Sequence, residues 1–172
     1  MIDKDYERAS QVLTTVISDS PDHAPAYYLL GMAKLESGKK DEARSDLTKA
    51  TELNPGWITP RLGLADLHLA NGDYRLALQE SQKVLDVYPD HREALLSAAG
   101  AYLKKGDYDK ALEVFSRVKK SSPDDPAIHM GLASVYAAQF KIALALREYE
   151  EALRLDPNRI DGLNSIVRLL VK

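Results

Sequence analysis

A chain of 172 residues with 45% hydrophobic and 28% charged residues can bury a continuous core and lacks the composition of a disordered segment. Its formal net charge of −3, with acids and bases interleaved as in Lys39, Lys40, Asp41, Glu42 and Arg44, argues against a general nucleic-acid binder, which needs clustered Lys and Arg. There is no apolar run near the ~18 residues of a membrane span, and cysteine is absent, which excludes disulfides and thiolate metal sites but selects neither a bacterial cytoplasm nor a periplasm or envelope.

Organisation comes from a period. Pro21, Pro55, Pro89, Pro123 and Pro157 stand 34 residues apart, and the segments between them align without a gap. In chain order, Lys4-Asp5-Tyr6-Glu7-Arg8-Ala9 aligns with Gly106-Asp107-Tyr108-Asp109-Lys110-Ala111, so residues 1–23 read as a half repeat supplying only a second helix, helix B. Full repeats follow at 24–57, 58–91, 92–125 and 126–159. Their first helices, helix A, are expected near 25–37, 59–71, 93–105 and 127–139, and their B helices near 41–53, 75–87, 109–121 and 143–155. Gly38, Gly72 and Gly106 can supply the left-handed bend within a repeat; Phe140 stands in the same column and leaves the turn at Gln139 and Phe140 open. Residues 160–172 read as helix A of a further repeat or as a capping helix. Leu169 and Val171 make that helix apolar on more than one face, which favours a segment of a longer array over a short protein ending in a cap.

The columns carry a size code. One reads Gly31, Ala65, Ala99 and Ala133; another Ala9, Ala43, Ala77, Ala111 and Ala145; a third Val16, Ala50, Val84, Val118 and Ala152. Small side chains at fixed intervals let helices approach closely. Tyr27-x2-Leu30-Gly31, with Ala43, Leu47, Ala50 and Pro55 after it, resembles the tetratricopeptide repeat, over almost the whole chain. Lys34 and His68 depart from the aromatic that Tyr102 and Tyr136 keep, and Ser81 departs from the bulk of Phe115 and Tyr149.

That resemblance implies an all-α fold, a right-handed superhelical α-solenoid of antiparallel helix pairs, acting as a non-catalytic scaffold that binds a partner peptide or helix in a concave groove lined by A helices. The groove columns hold Tyr28, Leu62, Leu96 and Met130, then Leu35, Leu69 and Leu103, with Met32 and Asp66 between them. These residues either meet ligand or brace one A helix against the next. Glu36, Asp66 and Glu93 toward one end and Lys104, Arg168 and Lys172 toward the other could orient a ligand. The family's two-carboxylate clamp for chaperone C-termini is not formed in any register; its first reads Tyr28, Met32, Gly63, Glu93 and Ser97, and its second Leu62, Asp66, Ser97, Ala127 and Gly131.

Other function classes find less support. The histidines His23, His68, His91 and His129 are dispersed by the repeat, and no phosphate-cradling glycine loop or His-Glu-x-x-His motif occurs, so neither an enzyme, a metal site nor a cofactor is expected. Trp57 reads as a packing plug in the turn after Pro55. Asp124 and Asp125 precede Pro126 at a helix start, where acids suit the helix dipole. The alternative to the groove is self-assembly, a homo-oligomer through terminal helices, using Leu13 and Val16 at one end and Ile166, Leu169 and Leu170 at the other.

Overall fold

Apolar residues at helical spacing, stopped by a proline in every period, commit the chain to short helices that must pack side by side to bury their stripes. In the computed structural model, which describes residues 2–171 and side chains from Asp5 onward, the described residues form ten α-helices and no strand. They are α1 (Ile2–Asp19), α2 (Ala24–Glu36), α3 (Lys40–Leu53), α4 (Ile58–Asn71), α5 (Tyr74–Leu85), α6 (Arg92–Lys105), α7 (Tyr108–Ser121), α8 (Pro126–Ala138), α9 (Ile142–Leu155) and α10 (Ile160–Leu170). Helices α2, α4, α6, α8 and α10 begin at 24, 58, 92, 126 and 160, which is the 34-residue period of the sequence. The side chain of Lys4 and the whole of Lys172 lie outside the described residues.

Local chemistry sets the ends. The His23 ring nitrogen Nδ1 accepts from the Ala26 N–H at 3.0 Å at the start of α2, and an Asp125 carboxylate oxygen accepts from the Ala127 N–H at 2.9 Å at the start of α8. Pro25 and Pro126 sit in those first turns, where a missing N–H costs nothing. α5 stops two residues short of the expected 87. Val87 is 65% exposed, so no packing holds this β-branched residue in a helix.

The bends repeat one motif. Gly38, Gly72 and Gly106 have φ of +75°, +84° and +88°, and Phe140 adopts the same conformation at +59°. In each case the next residue's N–H reaches back to an A-helix carbonyl: Lys39 to Lys34, Asp73 to His68, Asp107 to Tyr102 and Lys141 to Tyr136, all within 2.8–2.9 Å. The backbone pattern therefore forces the turn even on Phe140, at the steric cost of a left-handed non-glycine residue.

The helices gather into two compact bodies, one reaching to Val84 and the other beginning at Leu85. In the first, α2 lies against α1 and α3, and α3 lies against α4, around a core of Leu47, Leu64 and Leu67. In the second, α6 pairs with α7 and α8 with α9, around Leu95, Phe115, Val118, Ile128, Leu132 and Val135, with a further cluster of Ala133, Ala145 and Tyr149. The alanine column Ala43, Ala77, Ala111 and Ala145 is fully buried.

Close approach is tightest at two glycines. A Cβ on Gly31 would stand 2.9 Å from Leu47 Cγ, and one on Gly131 would stand 2.3 Å from the Phe115 ring. Alanine in mid-helix gains about 1 kcal/mol of propensity over glycine, but overpacking a buried ring costs about 1–3 kcal/mol, so packing wins. Gly131→Ala is expected to lower the urea midpoint, corresponding to a loss of about 1 kcal/mol, and Phe115→Leu added to it is expected to recover part of that loss. Phe140→Gly, at a side chain that is 85% exposed, should raise stability by about 1 kcal/mol in the same measurement.

One ion pair links α6 to the α8 cap. Arg92 donates to Asp125, which also accepts from Ala127. Burial pushes the Asp125 carboxyl up, but the Arg92 hydrogen bond, the Ala127 N–H and the Arg92 charge outweigh it and leave its pKa below the ordinary value. A carboxyl depressed in the folded state binds fewer protons than in the unfolded chain, so its contribution is present above the unfolded pKa and is lost as pH falls. Acid unfolding below about pH 4 should therefore be less steep in Asp125→Asn than in the wild type, read as midpoint against pH.

Candidate partner-binding surface

Residues four and three apart on a helix share a face, which places Tyr28, Met32 and Leu35 in one stripe on α2 and Leu62, Asp66 and Leu69 in another on α4. Leu96 and Leu103 form the corresponding stripe on α6, and Met130 begins it on α8. The structure places six of the nine expected groove residues in the first body and three in the second. All eight apolar ones are half-buried, whereas Asp66 is exposed.

Six of these eight residues have a supporting core or a cavity beside them. Tyr28 and Leu35 lie against the Leu47, Leu64 and Leu67 core, and the Tyr28 ring meets Trp57 edge-on at 5.0 Å between centroids. Trp57 thus ties the α3–α4 connection to α2 and behaves as packing. Leu96 and Leu103 lie on the Phe115 core, and Met130 lies on the Ala133, Ala145 and Tyr149 cluster. Met32 instead lines an open apolar trough of about 570 Å³ between α1 and α2, with Ala9, Val12, Leu13 and Leu29.

Glu36, Glu93, Lys104 and Arg168 are exposed, as orienting charges require. Charges nearer the helix seams are engaged. Lys34 Nζ stands 2.7 Å from Asp46 and 3.3 Å from Glu42. Burial lowers its pKa, but hydrogen bonds and charge from those two carboxylates outweigh that effect and raise it.

A single pair of columns, 19 residues apart, links A and B helices in several chemistries. It holds Arg61 and Glu80 at 3.2 Å, and His129 and Glu148 at 2.6 Å. In α6 and α7 the same two columns hold Leu95, within the core, and Val114, packed against it. His129 also faces the Pro123 carbonyl at 2.9 Å, and Lys119 reaches Glu148 at 3.0 Å. These polar groups are occupied by one another and fasten helices together. Among the described residues no group of three His, Asp or Glu side chains is arranged to hold a metal ion, and no helix is long and apolar enough to cross a membrane.

Sequence reasoning placed Leu170 on an open face but missed the other exposed apolar residues. Val12 and Leu29 are 59% and 51% exposed at the trough; Leu163, Val167 and Leu170 are 50%, 59% and 63% exposed on α10. A second hollow of about 930 Å³ involves Phe140, Ile142, Tyr149, Val167 and Leu169. The available signals were Leu29 in a column otherwise held by Gly63, Ser97 and Gly131, and Phe140 in a glycine column. For α10, Ile166 and Leu169 pack inward on the Ala133 cluster, so of the three residues expected on its open face only Leu170 faces outward.

Comparison with known proteins agrees with this architecture. The chain is similar in structure to YrrB, described as a TPR protein with an unusual peptide-binding site, at 20% identity and a TM-score of 0.77, over 94% of this chain and 84% of that one. A thermophilic TPR protein of Thermus thermophilus gives 20% identity and a TM-score of 0.79 over 97% and 91% of the two chains. MamA from Desulfovibrio magneticus RS-1 gives 24% identity and 0.74 over 86% and 84%. No curated protein sequence matches the chain. Models of the tetratricopeptide repeat match residues 1–56, 68–135 and 126–159, leaving only short stretches uncovered, and the chain belongs to the tetratricopeptide repeat family.

Proposed function

We propose that this protein is a protein-interaction scaffold that captures a partner segment on the A-helix stripes of its two bodies, each stripe acting as a separate surface. Proteins of this family are generally non-catalytic adaptors, which agrees with charged groups that fasten helices and do not converge on a pocket. The observation that carries the reading is the half-burial of all eight apolar stripe residues. A side chain supported from behind and open in front loses little rotamer freedom when a ligand covers it, which suits an anchor site. The fitting ligand is an amphipathic helix or an extended segment with apolar anchors spaced along a stripe. Met32, beside the trough, adds an adaptable, polarisable contact. YrrB, which shares the fold, is described as having a peptide-binding site, and that likeness favours a peptide segment as ligand.

Leu62→Glu in the first body and Leu96→Glu in the second test the two surfaces separately. Circular dichroism should match the wild type, because both residues are only half-buried. A protein captured from lysate by the wild type should be lost, by at least about tenfold in affinity, with whichever variant carries the operative stripe. Equal capture by wild type and both variants would remove the stripes from the account.

A further inference from the structure

His129 on α8 is 3% exposed, and both of its ring nitrogens stand at hydrogen-bond distance from oxygen. Nδ1 is 2.6 Å from Glu148 Oε2 on α9, and Nε2 is 2.9 Å from the Pro123 carbonyl in the α7–α8 turn. A carbonyl can only accept, and so can an ionised carboxylate. The Lys119 ammonium on α7 donates to both Glu148 oxygens, at 3.0 and 3.1 Å, which favours the ionised carboxylate and places the proton on the ring rather than on Glu148. A neutral imidazole has one N–H, so either tautomer would turn a bare nitrogen lone pair toward a buried oxygen. Only the imidazolium donates to both.

We propose that His129 carries a proton on both ring nitrogens in the folded protein and acts as a pH-sensitive clip that fastens α8 to α9 and to the α7–α8 turn. The charged groups on the elements packed against α8 suit that cation. On α9, Glu148 takes the ring directly, and Glu151 is paired with Arg154 at 2.7 Å. The Glu151 carboxyl is held below its ordinary value first by the Arg154 hydrogen bond and, against a contrary effect of burial, by the charges of Arg154, His129 and Lys119. In the turn, Asp124 acts on Arg154, and Asp125 is taken by Arg92 of α6. Before α10, Arg159 pairs with Asp161 at 3.4 Å. With His129 charged, the cations Lys119, Arg154 and His129 balance the anions Glu148, Glu151 and Asp124. The same two columns hold Arg61 and Glu80 in the first body, where a guanidinium keeps its charge at every physiological pH. Histidine makes the second body's version releasable, because loss of the ring proton leaves one N–H for two acceptors. The charge-assisted bond to Glu148 is the stronger, so the Pro123 carbonyl is the partner released, and the turn over residues 122–125 loosens as pH rises.

Nitrogen NMR of the imidazole rings in the whole chain, with His129 assigned through its own backbone, tests the proposal at about pH 7. Two protonated nitrogens with similar shifts are expected; one protonated and one bare nitrogen would overturn it. In Glu148→Gln the ring should lose one of its protons at the same pH, and a ring that stays doubly protonated would overturn the part given to Glu148. Stability supplies a second readout. The unfolded chain releases a histidine proton near about pH 6.5, so stabilisation by the clip is complete below that value and is lost as pH rises. The shift in urea midpoint between wild type and His129→Gln should therefore shrink from about pH 5.5 to about pH 8.5, while the shift produced by Arg61→Gln stays constant. A His129→Gln shift that is equally constant would contradict the clip. Should that variant fail to fold, the ring resonances of the wild type still decide the matter.

Discussion

Everything in this fold rests on the seating of one helix's bulk in another helix's absence of bulk. Leu47 lies 2.9 Å from where a Gly31 side chain would begin and 3.5 Å from where a Gly63 side chain would begin, and Phe115 fills the space a Gly131 side chain would need. Without those seats the A and B helices could not close on the fully buried alanine column, and short helices of 12–14 residues would be marginal in water. Spacing, size and burial are therefore one constraint repeated along the chain. The side chains it leaves partly uncovered form the surface proposed to meet a partner.

Polar chemistry is subordinate to that packing. Arg61 with Glu80 and His129 with Glu148 occupy positions where Leu95 and Val114 serve equally well, so the fold accepts either a satisfied ion pair or an apolar pair between the same two columns. In the first repeat the same two columns hold Tyr27 and Asp46, and there the carboxylate is engaged by Lys34 at 2.7 Å, so the charge at the seam still finds a partner. This explains how carboxylates and a histidine can be concentrated near helix seams without forming a reaction site. It also lets individual helix pairs differ in sequence while keeping one geometry.

Much of this was legible in the sequence, because a gapless period converts each residue into a position. Helix starts fell within two residues of their expected places, and the left-handed bends fell at Gly38, Gly72 and Gly106. Phe140 could not be settled from residue type alone, since intrinsic preference opposed a turn that the flanking hydrogen bonds of Phe140 and Lys141 impose. The early end of α5 depended on Val87 finding no neighbour, a tertiary fact. The stripe residues Tyr28, Leu62 and Leu96 were identifiable by column, but their half-burial depends on which cores lie behind them. At α10 two apolar faces competed, and choosing between them required noticing that Ile166 and Leu169 continue the inward columns of Leu132 and Val135.

The central claim is that the A-helix stripes are the surface proposed to meet a partner segment, while the columns that build the core stay closed. Amide hydrogen exchange followed by mass spectrometry, on the protein alone and with the partner captured by the wild type, tests it most directly. Protection should rise on partner binding over residues 62–69 or 96–103. Protection that leaves both stripes unchanged and gathers elsewhere would contradict it.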